Sequence, residues 1–329
     1  MRSHALKAVA IALLSALFFT LTYVLNRAVV SGGGHWQWAV ILRYLITLPL
    51  LAVVLPFQGG FGALPRELRT HARQWLTWSS VGFVLFGVPL TWAASSGPSW
   101  LVAGSFQTTV LAGPLLAPFI YRDERARWHV AALSIGVLIV VGVMLLQFGH
   151  SHGALDGSAW LAVGAVVFAA FAYPLGNRMI LLHLERTGTK LGAVQRVFGM
   201  TLASWPLWLL LAVVTWFTVG PPSLREALLA GGVALSSGVI ATVLFFHATE
   251  VVGRQPTALA GVEAMQAAEL LFATVIGVSF LHETVPGPVA ALGAVAIIVG
   301  IALFAWVSGK EEGKGRGADA ERIGADRGA

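Results

Sequence analysis

The sequence predicts an all-α integral membrane protein of ten transmembrane helices, arranged as two inverted five-helix repeats with both termini in the cytoplasm. Three observations carry this reading: an apolar composition with few charges, ten apolar runs of membrane-spanning length, and an internal repeat at an offset of 159 residues. Of 329 residues, 57% are apolar and 11% charged, with a mean hydropathy of +0.79; an ordinary soluble domain carries about 25% charged residues. This excludes a soluble globular protein. It also excludes a disordered one, because chains that stay unfolded are poor in apolar residues and rich in net charge.

A membrane helix needs about 20 mostly apolar residues to cross roughly 30 Å of hydrocarbon. Runs of that length occupy Ala8 to Val30, Trp36 to Leu55, Trp75 to Ala94, Trp100 to Tyr121, His129 to Phe148, Ser158 to Leu182, Gly192 to Val219, Ala227 to His247, Thr257 to Leu281 and Pro288 to Val307. The first has a basic start but is too long for a signal-peptide core, so it reads as a retained helix. Trp36, Trp75, Trp100 and Trp160 near span ends read as interface residues.

Lys and Arg outside the spans set the orientation. Arg2 and Lys7, Arg66, Arg69 and Arg73, Arg122, Arg125 and Arg127, Arg186 and Lys190, Arg254 and five residues after Val307 fall on one side, and only Arg225 on the other. That is 16 against 1, which places both termini in the cytoplasm of a plasma membrane. The net charge of +6 is then a consequence of topology, and no nucleic-acid partner is implied. With no cysteine, disulfides, thiol catalysis and Cys-based metal sites are excluded.

The repeat aligns residues 100–148 with 259–307 without a gap, matching Gln107 with Gln266, Glu124 with Glu283, and HVAAL at 129 with PVAAL at 288. Asn26-Arg27 ends the first span as Asn177-Arg178 ends the sixth, each after a Tyr (Tyr23, Tyr173), and Arg43 pairs with Arg196 in spans two and seven. The chain divides into a first repeat at 1–150, a second at 151–308 and a charged, Gly-rich tail at 309–329 that reads as disordered. Five helices per copy is odd, so the second copy enters the membrane from the opposite side. Inverted repeats mark many secondary transporters, whose two pseudo-equivalent halves supply inward-open and outward-open states of similar energy.

Arg27, Arg43, Arg178, Arg196, Glu263 and Glu269 lie within or at the rim of the spans. Each costs roughly 2.5 to 3.5 kcal/mol at the bilayer centre on insertion scales, so they should face a cavity or one another. Arg27 and Arg178 fall near opposite boundaries and read as snorkelling anchors. Arg43 and Arg196 fall about a third of the way in and read as cavity-facing. Glu263, Gln266 and Glu269 recur every third residue, a polar stripe on one helix. Glu269 comes about 18 Å along its span, near the midplane. There it is either paired with an Arg or a carboxyl able to exchange a proton. Glu269 and Glu263 are therefore the candidate proton or cation sites. Gln107, Gln266 and Thr108, with Arg43 and Arg196, are the candidate substrate-binding groups.

Enzyme signals are weak. There is no HExxH, GxSxG or phosphate loop, and His150, His152 and Asp156 read as a solvated loop without a fourth metal ligand. The expectation is a protein that is not an enzyme and holds no cofactor, drawing energy from a proton gradient. Ala296 and Gly300 form a small-xxx-small pair suited to packing within the chain or in a homodimer.

The paired Asn-Arg ends, the paired Arg of spans two and seven, and the Glu closing spans four and nine resemble the EamA-like repeats of the drug/metabolite transporter superfamily. Within residues 6–307, FQTTVLAGPLLAPFIYRDER at 106–125 and VEAMQAAELLFATVIGVSFLHE at 262–283 look like the multidrug resistance efflux transporter branch. The resemblance implies a ten-helix, proton-driven exporter of small organic molecules such as drugs or metabolites, with the substrate held between the halves. An exchanger or uptake carrier of metabolites or amino acids is the alternative within this fold; a channel or membrane-embedded enzyme is the alternative outside it.

Overall fold

A computed structural model describes residues 3–326 apart from 32, 97–98, 149–156, 253–254 and 281–286. The side chains of Tyr23, Asn26, Arg27, Trp100 and residues after 307 lie outside what is described, as do His150, His152, Asp156, Arg254 and Glu283 altogether. The described residues are helical and contain no strand. In chain order they form α1 (Ser3–Ser31), α2 (Trp36–Val54), α3 (Leu64–Thr70), α4 (Ala72–Ser79), α5 (Leu85–Ser96), α6 (Ser99–Phe106), α7 (Thr109–Ile120), α8 (Val130–Phe148), α9 (Gly157–Thr187), α10 (Ala193–Val219), α11 (Leu224–Val233), α12 (Thr242–Val252), α13 (Pro256–Ala264), α14 (Ala268–Phe280) and α15 (Pro288–Asp326). The helical course of α15 continues through the stretch whose composition reads as a disordered tail.

Eight helical stretches among the described residues are long and apolar enough to cross a membrane, joined by a shorter apolar helix, Leu6–Thr22. They coincide with eight of the ten expected spans. The fourth expected span differs because its helix is interrupted: α6 stops at Phe106, Gln107 and Thr108 form a turn, and α7 resumes at Thr109. There the amides of Gln107, Thr108 and Val110 bond carbonyls three residues back, not four, a tightening that re-aims the chain. The ninth span is interrupted at the aligned position, where Met265–Ala267 tighten in the same way between α13 and α14.

A second irregularity also occurs twice. Wide π-type turns at Ser80–Val84 and Ala234–Ala241 separate α4 from α5 and α11 from α12. Such turns leave backbone groups that hydrocarbon cannot satisfy, so neighbouring helices must do so. Helix α1 serves one of these irregular places, where Ser15 donates to the Ala241 carbonyl at 2.7 Å; Thr20 has its own-helix Ala16 carbonyl at 2.9 Å and the Glu269 carbonyl at 3.3 Å. At Gly82 the backbone of α9 comes so close, at Gly176, that a Cβ on Gly176 would overlap the Gly82 main chain.

Extensive packing joins α8 with α15, α5 with α9, α1 with α12, α2 with both α10 and α11, α13 with α15, and α7 with both α9 and α13. Ala296 and Gly300 face α8 of the same chain, against Gly142 and Ile139. Trp75, expected at the membrane interface, is instead wholly buried, its ring against Gly199, where a Cβ would overlap it. The short α3 packs on α4 and α10, the two helices that carry Trp75 and Gly199.

Candidate functional site

The helices converge on a cavity of about 570 Å³, drawing its walls from α1, α2, α5, α6, α9, α10, both π-type turns, α12 and the α13–α14 break. Six aromatic rings line it: Phe19, Tyr44, Phe83, Phe86, Phe106 and Tyr173. Among the described residues its charged groups are Arg43 and Glu269, and Gln266 also lines it. Five threonines complete the polar lining: Thr22, Thr47, Thr91, Thr201 and Thr242.

The threonines have a defined polarity. Thr47, Thr91, Thr201 and Thr242 donate their hydroxyl protons to carbonyls of their own helical segments, at 2.6, 2.8, 2.7 and 2.6 Å. A hydroxyl has one proton and two lone pairs. With the proton committed to the backbone, each has only acceptor capacity left for a guest.

Aromatic contacts fix the walls. Tyr44 stacks on Trp208 with centroids 4.4 Å apart, and Phe86 lies 4.8 Å from Tyr173. The Arg43 guanidinium sits 5.5 Å from the Tyr44 centroid, and its Nε is buried without a hydrogen-bond partner. The Tyr173 hydroxyl is likewise buried and unpartnered.

The structure gathers three of the sequence-predicted residues, Arg43, Gln266 and Glu269, at this cavity and places the other four outside its lining. Glu263, two turns before Glu269, is 2% exposed and locked to Arg178, which is 1% exposed. Arg178 Nε donates to Oε1 at 2.9 Å and an Nη to Oε2 at 2.8 Å, the planar two-bond geometry that suits Arg to a carboxylate. Gly113 makes room for this pair, because a Cβ there would overlap Glu263 Oε2 and the Arg178 guanidinium.

Arg178 was expected to snorkel at a span end. The 31-residue α9 runs on to Thr187, about two and a half turns past Arg178, and the guanidinium is buried against Glu263 and does not reach outward. Arg196 is 1% exposed; it donates to the Phe246 carbonyl, lies 3.5 Å from Glu250, and sits 5.3 Å from the Phe246 ring centroid. Gln107 is wholly buried with neither amide atom hydrogen-bonded, and Thr108 donates to the Ser105 carbonyl.

The aromatic and threonine lining escaped sequence reasoning. In a membrane helix a Phe or Thr facing a cavity and one facing lipid or a neighbouring helix look alike in sequence, and the packing of the helices decides the difference.

A solved structure described only as "Crystal structure of protein" superposes with a TM-score of 0.67 at 15% identity, covering 95% of this chain and 100% of its own; this likeness concerns the fold alone. The chain is 41% identical over 312 residues to "Uncharacterized protein YjlA" of Bacillus subtilis (strain 168), covering 92% of this chain and 95% of that one. It is 38% identical over 290 residues to "Uncharacterized 42.1 kDa protein in intracellular alkaline protease 3'region" of Shouchella clausii, covering 86% and 76%. A shorter match, 29% over 141 residues, covers 41% of this chain and 79% of a "UPF0756 membrane protein" of Natranaerobius thermophilus. Residues 6–310 match the family described as "EmrE: Putative multidrug resistance efflux transporter". The chain is a membrane protein of the drug/metabolite transporter type and belongs to that multidrug resistance efflux transporter family.

Proposed function

We propose that the protein is a proton-coupled exporter of small organic molecules carrying a cationic group, working by alternating access in the plasma membrane with both termini in the cytoplasm. The observation that carries this reading is the cavity: one carboxylate, Glu269, among aromatic rings and threonine hydroxyls whose protons are turned away from it. Acceptor-only hydroxyls suit an ammonium, which brings donors and no acceptor. Aromatic faces attract the same charge through the ring quadrupole. Glu269 takes up a proton when the cation leaves and releases it when the cation binds, so each is carried in exchange for the other.

The packing pairs support a two-repeat, ten-span reading. Exchanging the first five spans for the last five carries α5 with α9 onto α12 with α1. The same exchange carries α2 with α10, α7 with α13, and α8 with α15 onto themselves. Two halves related in this way can rock about a central site and expose it to either side in turn.

Arg43 favours a second reading. Its unpartnered Nε at the cavity suits a carboxylate, which would make the cargo an anionic or zwitterionic metabolite such as an amino acid. Proteoliposomes with an imposed pH gradient test both readings. Saturable movement of ethidium, abolished by a protonophore and showing counterflow, is the expected result. Flux that neither saturates nor responds to the gradient would contradict a coupled carrier, and counterflow with amino acids but not with amines would select the second reading.

A further inference from the structure

A separate cluster lies away from the cavity, where the segment between α2 and α4 meets the end of α9. Glu67 on α3, His71 at the α3–α4 junction and His183 on α9 bring one carboxylate oxygen and two imidazole nitrogens within 4.8 Å of one another. Glu67 Oε1 lies 2.7 Å from His183 Nε2 and 3.0 Å from His71 Nδ1, so two nitrogens converge on one oxygen.

Only one of these approaches is a hydrogen bond. His183 Nε2 bonds Oε1, whereas His71 Nδ1 is off the hydrogen-bond direction and remains a buried nitrogen without a partner. The other carboxylate oxygen, Oε2, accepts from Thr189 at 3.0 Å, and Thr187 donates to Thr189 at 3.1 Å. The two rings stand nearly edge to face, with centroids 4.7 Å apart. Glu67 is 4% exposed, yet the side chains of His71 and His183 retain 30% and 12% exposure, which leaves a way in.

We propose that Glu67, His71 and His183 form a binding site for a divalent transition-metal ion of the zinc type. Two imidazoles and one carboxylate are a zinc ligand set, with a fourth position left for water. Tetrahedral coordination at about 2.0–2.2 Å places ligand atoms roughly 3.4 Å apart, so the 2.7 and 3.0 Å approaches need to open by only about half an ångström. Thr189 then holds the carboxylate from outside, as partners of metal ligands commonly do. The bound ion ties α3 to α9 and would slow any motion that separates them. Glu67 and His71 are four apart in sequence and share a helical face; His183 joins them only through the fold.

The test uses untagged, full-length protein in detergent, stripped with EDTA and titrated calorimetrically with ZnCl2. One saturable equivalent per chain is expected, weakened at least 10-fold in His71→Ala and in His183→Ala. Magnesium and calcium, which take oxygen ligands, should not compete. Metal-free melting of each variant close to the wild type shows that the fold survives; should one variant fail to fold, cobalt absorption bands on the wild-type protein, removed by Zn2+, report nitrogen coordination without it. Absence of a saturable equivalent, or binding unchanged in both folded variants, would overturn the proposal. No arm of the test reads transport, so it stands or falls apart from the proposed export.

Discussion

Glu263 and Glu269 sit six residues apart on either side of one helix break, and their surroundings separate them completely. Glu263 has a guanidinium in two-bond contact, and its room comes from a missing side chain at Gly113. Glu269 opens on a 570 Å³ cavity with aromatic walls. A carboxylate with a fixed counter-ion in a dry site keeps its charge and holds helices together. One that lines a fillable space can meet a mobile cation there. The same contrast divides the repeats: the positions aligned with Glu263 and Glu269 are Gly104 and Val110, so the shared amides Gln107 and Gln266 are flanked by acids in the second copy alone.

The largest expected effect breaks the sealed site. Glu263→Gln leaves Arg178 buried without its counter-charge and should cost about 3–5 kcal/mol, read as a lowered detergent Tm. Replacing Arg178 and Glu263 together by Met should recover much of that loss. Glu269→Gln should change Tm far less.

Next comes Gly113→Ala, whose added methyl presses on the ion pair and should cost about 1–3 kcal/mol. In a double-mutant cycle with the Met pair, that penalty should shrink. The two amides give a smaller, directional contrast. Gln107 has no partner for either amide atom, so Gln107→Leu should leave stability level or raise it by up to about 1–3 kcal/mol of relieved desolvation, read as an unchanged or higher Tm. Gln266→Leu should instead raise the KM for a transported cation.

The amount legible in the sequence follows from what each feature depends on. Span positions depend on some 20 consecutive apolar residues and could be read directly; eight recur among the described residues as helical stretches long and apolar enough to cross a membrane. The break at Gln107 has no Gly or Pro at the turn itself, and only the aligned Gln266 hinted that the position is special. Glu269, Gln266 and Arg43 stood out because charge and amide groups are rare in hydrocarbon. Arg178 reads as an anchor because it stands near the end of an apolar run, whereas its pairing with Glu263, 85 residues away, is set by the fold. The Glu67–His183 contact joins residues 116 apart, which no local pattern specifies.

The smallest expected effect lies on the surface and calibrates the rest. Arg125 holds Asp123 and, at 2.9 Å, Glu185 on α9; Arg125→Ala should cost no more than about 1 kcal/mol. The Arg125 side-chain hydrogen bond outweighs burial and keeps the Asp123 carboxyl below its ordinary 3.8. Its contribution is therefore complete above pH 3.8 and disappears as the pH falls through the lowered value. Melting curves of wild type and variant should converge at the acid end.

The central claim is that Glu269, and not Glu263, carries the exchangeable proton. Ethidium flux driven by a pH gradient, measured in proteoliposomes holding equal amounts of folded wild-type, Glu269→Gln and Glu263→Asp protein, tests it most directly. The account predicts that Glu269→Gln abolishes gradient-driven flux, whereas Glu263→Asp, which keeps a carboxylate for Arg178, retains it. Undiminished coupling in Glu269→Gln would contradict it.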